Sequence, residues 1–417
     1  MKLLILPVLL TAVLFSTTTK AKSPLLLING ILGAELNVKD DRKRFFGVFN
    51  HECNTRGDYG GLWVDLIHLP KCGIYELSMQ YDQATGQFSD MPDVTIRVPG
   101  FGETGSVEFL GFVPYLRQFV SYFVARGYVR GWSIRAAPYD WRLAADELQR
   151  RGYYKQLKEL VQTMYTENGN QKVTLVVHSM GALVSHHFLT SYVNQKWKDQ
   201  YIHAWVTLSG AWSGGVTAAA SIISGKEFGE IPIDFLADFA SRAAAGFIVP
   251  IARSIESLPW LLPRASVFKD MPLITTPGRS YTAADYEELF KRIQYTNGHE
   301  IHQKLIRNLN VDYAAPNVPT YCYYGVGVPT PERFYYGRDL DDSITQPLMT
   351  INGDGDGTVN LVSSQVCHRW TGMRQGFQLK QYDGVSHIAI VSERRVLDDI
   401  AQIVEVRKAT RRTFRRA

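Results

Sequence analysis

Residues 173–181 read Val-Thr-Leu-Val-Val-His-Ser-Met-Gly, an apolar β-branched run that carries one serine into a tight turn just before a helix-like stretch. This is the sequence form of a nucleophile elbow, with Ser179 as the candidate nucleophile. Val177 stands at the first glycine of G-x-S-x-G, where a small residue relieves crowding between strand and helix, so the turn is expected to be looser or locally repacked. Alone the pattern is weak, because His-Ser-Met-Gly is more often an ordinary strand-to-helix turn. A serine hydroxyl is a poor nucleophile at neutral pH and needs a base, a group to orient that base, and donors for an oxyanion.

On the α/β-hydrolase fold the serine is followed along the chain by Asp or Glu and then by His, both on loops after the last strands. Eight of the ten histidines precede the aspartate-rich turn at 352–359, which leaves His368 and His387. His368 follows Cys367 directly and reads as structurally tied. His387 lies in Asp-Gly-Val-Ser-His, between the strand-like 377–382 and a helical stretch, where a loop leaves its imidazole free to reach the serine. It is the candidate base.

The acid is expected where the apolar run 348–351 enters Asn-Gly-Asp-Gly-Asp-Gly-Thr-Val. Asp356 is preferred, with Asp354 capping the turn. A polar turn or a weak calcium loop is the competing reading, but no glutamate stands where an EF-hand needs one. Oxyanion donors come from the N–H after the nucleophile, Met180, and from an early strand-end loop. The strand-like 25–28 is followed by Asn29-Gly30-Ile31-Leu32-Gly33, which points to the N–H of Ile31; a phosphate-binding turn lacks the full glycine fingerprint here.

Strand-like runs at 25–28, 94–98, 173–177, 204–208, 320–324, 348–351 and 377–382 alternate with helical patterns at 180–193, 283–293 and after Ser392, an α/β sheet with inserts. Thr282 and Asp285 read as a capping box, and Val396, Ile400 and Ile403 share a helix face. The span between Leu208 and Thr320 is too long for a plain connection and reads as a cap.

The segments Arg97–Gly102, Ala137–Arg142, His178–Gly181, Trp212–Val216, Tyr324–Pro331 and Gly353–Asn360 together resemble the lecithin:cholesterol acyltransferase and lysosomal phospholipase A2 (group XV) family, and look closer to the lysosomal phospholipase branch. The resemblance covers nearly the whole mature chain. It implies an α/β-hydrolase with an inserted cap and lid and a small disulfide-stapled membrane-binding excursion. It also puts the triad on Ser179, Asp356 and His387 and the oxyanion loop on Ile31, where the lysosomal phospholipase carries an aspartate instead. The activity implied is a calcium-independent serine phospholipase A and O-acyltransferase that forms an acyl-serine; a phosphatidylcholine-sterol acyltransferase is the alternative. No cofactor or metal is implied.

Lys2 and the apolar run 3–15 read as a signal peptide, giving domains of 1–22 for the leader, 23–405 for the hydrolase and 406–417 for a basic tail. The excursion falls at about 45–90 and the cap and lid at about 210–320. Four cysteines in an oxidising compartment form two disulfides with three possible connectivities, of which the resemblance selects Cys53–Cys72 and Cys322–Cys367. Leu62, Trp63 and Leu66 cluster inside the first disulfide loop and 212–239 is Gly/Ala/Ser-rich; each segment reads equally as plain core, and it is the resemblance that implies a membrane contact for the first and a mobile lid for the second.

The tail holds six Lys and Arg and no acid against a net charge of +5, so the body is close to neutral and nucleic acid is not an expected partner. The tail reads as a solvated end or as a contact to anionic lipid. Asn-x-Ser/Thr sequons are absent. Expected partners are a phospholipid membrane surface or lipoprotein and a lipid acyl acceptor, a ceramide-like alcohol or a sterol. A secreted or lysosomal monomer is expected.

Overall fold

The computed structural model describes residues 22–42, 58–63, 69–226, 241–309 and 313–405. Residues 1–21 of the leader, the basic tail, Cys53, Leu66 and the second half of the expected lid lie outside the described residues.

Val173–His178 is a strand buried at every position, as a β-branched run packed on both faces must be. Around it forms a six-stranded parallel sheet in the order Phe377–Asp383, Thr320–Val326, Ile202–Leu208, Val173–His178, Leu25–Ile28, Ile134–Ala136. The carboxyl ends of its central strands open at one edge, where ligands bind in open α/β sheets. The apolar runs at 25–28, 173–177, 204–208, 320–324 and 377–382 all become strands of this sheet. Those at 94–98 and 348–351 are strands elsewhere: Val94–Arg97 pairs antiparallel with Leu36–Asp40, and Met349–Gly353 with Thr330–Tyr335.

The helix expected over 180–193 is Met180–His187 continued by a π-helical turn, Phe188–Tyr192. Over 283–293 the helix is Tyr286–Arg292, where the Asp285 carboxylate accepts from the Thr282 N–H at 2.7 Å, one arm of the capping box. Arg394–Val404 buries Val396, Leu397, Ile400 and Val404 on one face, while Ile403 is half-buried. Cys322 and Cys367 form a disulfide between a sheet strand and the segment after Asp356; Cys72 is not a free thiol.

One expectation is corrected. Leu62 and Trp63 are 0 % and 5 % exposed, so neither is a membrane contact. Their strand Gly60–Trp63 pairs with Leu36–Asp40, the Trp63 ring packs edge-on against Trp141 at 5.2 Å, and its indole N–H donates to the Leu32 carbonyl at 2.8 Å. Burying such rings removes more apolar area from water than a surface site would. Residues 212–226, the described part of the expected lid, pack into the interior. The helix Val216–Ser224 is buried at every position, and Trp212 packs against Trp205 and Trp370. Small residues there allow close packing, with the Gly214 α-carbon pressed on the Leu261 backbone at φ +68°.

Gly181 lets the helix after the elbow meet the end of Leu25–Ile28: a β-carbon there would lie 2.4 Å from the Asn29 carbonyl oxygen. Gly181→Ala is expected to destabilise the fold by about 1–3 kcal/mol, since backbone must move to admit the methyl. A thermal unfolding midpoint equal to wild type would contradict this packing.

Candidate active site

Ser179 follows the strand Val173–His178 with φ 55° and ψ −124°, a strained conformation for a residue with a β-carbon. The turn is therefore not loosened by Val177, which stays buried in the sheet; closeness is gained on the other side, at Gly181 and Gly30. A β-carbon on Gly30 would meet the Ser179 β-carbon at 2.8 Å and its hydroxyl at 3.3 Å.

His387 Nε2 lies 2.9 Å from Ser179 Oγ, and His387 Nδ1 lies 2.9 Å from Asp356 Oδ2. A carboxylate only accepts, so Nδ1 carries the proton and Nε2 is left to accept from the serine hydroxyl. Asp356 Oδ1 accepts from the N–H groups of Thr358 and Val359 at 3.1 and 2.8 Å, and the Asp356 carbonyl accepts the His387 N–H at 2.7 Å. Burial pushes the Asp356 carboxyl up, but the facing imidazole and these hydrogen bonds outweigh it and hold the group below the ordinary carboxylate range. Asp354 is elsewhere, accepting from the Gly327 N–H at 2.7 Å. His368 is also apart, its Nε2 2.8 Å from the Tyr324 hydroxyl.

Met180 opens the helix after the elbow, so its N–H has no intrahelical acceptor. The Ile31 N–H has no hydrogen-bond partner among the described residues. Ile31, Ser179 and His387 line one pocket whose other walls are mainly apolar, including Leu110, Ala218, Leu258, Leu261 and Ile388. Sequence reasoning missed Leu110 and Tyr115. They belong to a two-residue hairpin, Phe109–Leu110 with Val113–Pro114, and to the turn after it, segments too short for any periodicity to mark.

Burial first of all pushes four histidines down, His178 to about 3, His186 and His302 to about 4, and His187 below its ordinary value. Between about pH 4 and 6.5 the unfolded chain binds these protons and the folded chain does not, so stability falls on acidification. Glu256, buried and raised to about 8, has the opposite sign because its folded form holds a proton that the unfolded form has lost. The lowered histidines outnumber the one raised glutamate, so the net effect of acidification through this range is a loss of stability. The thermal unfolding midpoint should therefore be lower at pH 5 than at pH 7; an equal or higher midpoint would contradict the burial of these rings.

A parallel sheet with a serine at the elbow, hydrogen-bonded to a histidine that in turn bonds an aspartate, both on later loops, defines an α/β-hydrolase. The same architecture is found in a solved structure, the Tle4–Tli4 complex, with TM-score 0.52 at 15% identity over 94% of this chain and 100% of that one, a likeness of fold. By sequence, the profile described as lecithin:cholesterol acyltransferase matches residues 61–297 and 278–394. The chain belongs to the lecithin:cholesterol acyltransferase family and is an enzyme. It is 35% identical to phosphatidylcholine-sterol acyltransferase of Mus musculus, over 93% of this chain and 87% of that protein. It is 34% identical to lysosomal phospholipase A and acyltransferase of the same species, over 96% and 95%. The two kinds of relative thus stand at nearly equal identity.

Proposed function

We propose that the protein is a calcium-independent serine phospholipase A and O-acyltransferase, with Ser179 as nucleophile, His387 as base and Asp356 holding the imidazole tautomer. The observation that carries this reading is the unbroken hydrogen-bonded chain from Ser179 Oγ to Asp356 at the edge of an apolar pocket. Ser179 Oγ attacks a fatty acyl ester carbonyl as its proton passes to His387 Nε2, and the Ile31 and Met180 N–H groups hold the oxyanion. The same proton then goes to the departing lysophospholipid oxygen. Water or a lipid alcohol, deprotonated in turn by Nε2, takes the acyl group, and Nε2 returns that proton to the departing Ser179 Oγ.

Residues 23–405 are the hydrolase, with about 210–320 as its cap; Gly215, Thr217, Ser221 and Leu258 of that span line the pocket, which supports the assignment. The segments 1–22 and 406–417 are read as a signal peptide and a basic tail, and the enzyme as a monomer of the secretory pathway, secreted or lysosomal, that meets a membrane or lipoprotein. Among the described residues no helix is long and apolar enough to cross a membrane. The nearly equal identity to a sterol acyltransferase keeps a sterol acceptor as the second reading.

Products distinguish the two. Phosphatidylcholine liposomes containing cholesterol and short-chain ceramide, without calcium, are expected to yield free fatty acid and acylceramide with the wild type and neither with Ser179→Ala. Cholesteryl ester as the main product would move the enzyme to the sterol reading, and no Ser179-dependent product would overturn both.

A further inference from the structure

Tyr115 and His178 take no part in the chemistry above, yet their hydrogen bonds join its two halves. Tyr115 Oη lies 3.1 Å from the Gly30 nitrogen and 2.7 Å from His178 Nδ1, and His178 Nε2 lies 2.8 Å from the His387 carbonyl oxygen. The partners fix every proton. A carbonyl only accepts, so His178 Nε2 is the protonated nitrogen and Nδ1 the acceptor; the tyrosine then donates to Nδ1 and accepts the Gly30 N–H. Both side chains are buried, and burial holds the His178 imidazole in its neutral form.

The two ends of this chain are the places where catalytic geometry is decided. Gly30 approaches Ser179 so closely that a single added methyl would collide, and its neighbour Ile31 carries the proposed oxyanion donor. At the other end the His387 main chain is held on both sides, its N–H by the Asp356 carbonyl at 2.7 Å and its C=O by His178. The His178 ring also packs on His387, with centroids 4.8 Å apart.

We propose that Tyr115 and His178 are positioning residues that hold the oxyanion loop, through Gly30, in register with the main chain of His387, so that donor and base meet the same acyl carbonyl. The inference rests on the reading of Ser179, His387 and Asp356 as the triad. Tyr115→Phe keeps the ring and removes both hydrogen bonds of the hydroxyl. His178→Asn can keep an acceptor near Nδ1 but loses the donor to His387.

The test is turnover of a soluble p-nitrophenyl ester, counted per active site titrated with an organophosphonate. Each variant is expected to lose on the order of tenfold to a hundredfold in kcat, as displaced catalytic groups do, with KM within about threefold of wild type. A merely structural role would lower the number of titratable sites and leave kcat per site unchanged, so kcat within about twofold of wild type in either variant overturns the proposal. Ser179→Ala is run beside them: if it turns over as fast as wild type, the triad reading has failed instead. The intact protein gives an independent check, since ¹⁵N shifts of the His178 ring should report protonated Nε2 and bare Nδ1. The reverse tautomer also overturns the proposal.

Discussion

Ser179→Ala is expected to lower kcat on phospholipid or soluble ester by about 10⁶-fold, the scale of losing a triad nucleophile, while leaving the protein folded. Only the hydroxyl is lost. The substitution keeps a β-carbon, so the strain at φ 55° is unchanged and the packing of Gly30 against that β-carbon survives. What remains should be a slow, uncatalysed attack by water helped by the Ile31 and Met180 N–H groups, roughly 10³- to 10⁴-fold above solution. Adding His387→Ala to Ser179→Ala should cost almost nothing further, because the base has no work without the serine. The rates are read by initial-velocity kinetics on the two single variants and the double.

Asp356→Asn is the second large effect, a fall in kcat of about 10⁴-fold at neutral pH. The reason lies in which atom can turn. Oδ1 accepts two backbone N–H groups, from Thr358 and Val359, so an asparagine must keep its amide oxygen there and present its NH₂ to His387 Nδ1. Nδ1 then accepts, the ring proton moves to Nε2, and the nitrogen facing Ser179 Oγ becomes a donor that cannot take the serine proton. The fold should tolerate this exchange, since shape and both backbone bonds are kept. An asparagine variant with near-wild-type kcat would show that the aspartate does not set the tautomer.

Much of the site could be read from the chain because it is built where strong local signals end. The β-branched run before Ser179 has to be a buried strand; the order serine, acid, histidine leaves two histidines, of which a loop position favours His387, and Asp356 is preferred over Asp354. Ser179 Oγ and Asp356 Oδ2 each lie 2.9 Å from the His387 ring. Five of the seven apolar runs entered the central sheet for the same reason. The failures share a cause too. Leu62 and Trp63 lie in a composition that suits either a core or a membrane surface, and only tertiary pairing with Leu36–Asp40 decides for the core. Ile134–Ala136 has only three residues, below what a pattern can mark, and Tyr115 acquires its place beside His178 only when distant segments meet.

Catalysis by this route passes through an ester formed at Ser179. Wild-type enzyme mixed briefly with phosphatidylcholine liposomes, quenched in acid, digested and read by mass spectrometry should show the peptide containing Ser179 heavier by one fatty acyl group, with the label absent from Ser179→Ala. An acyl group on another residue, or turnover with no acylated peptide at any quench time, would contradict it.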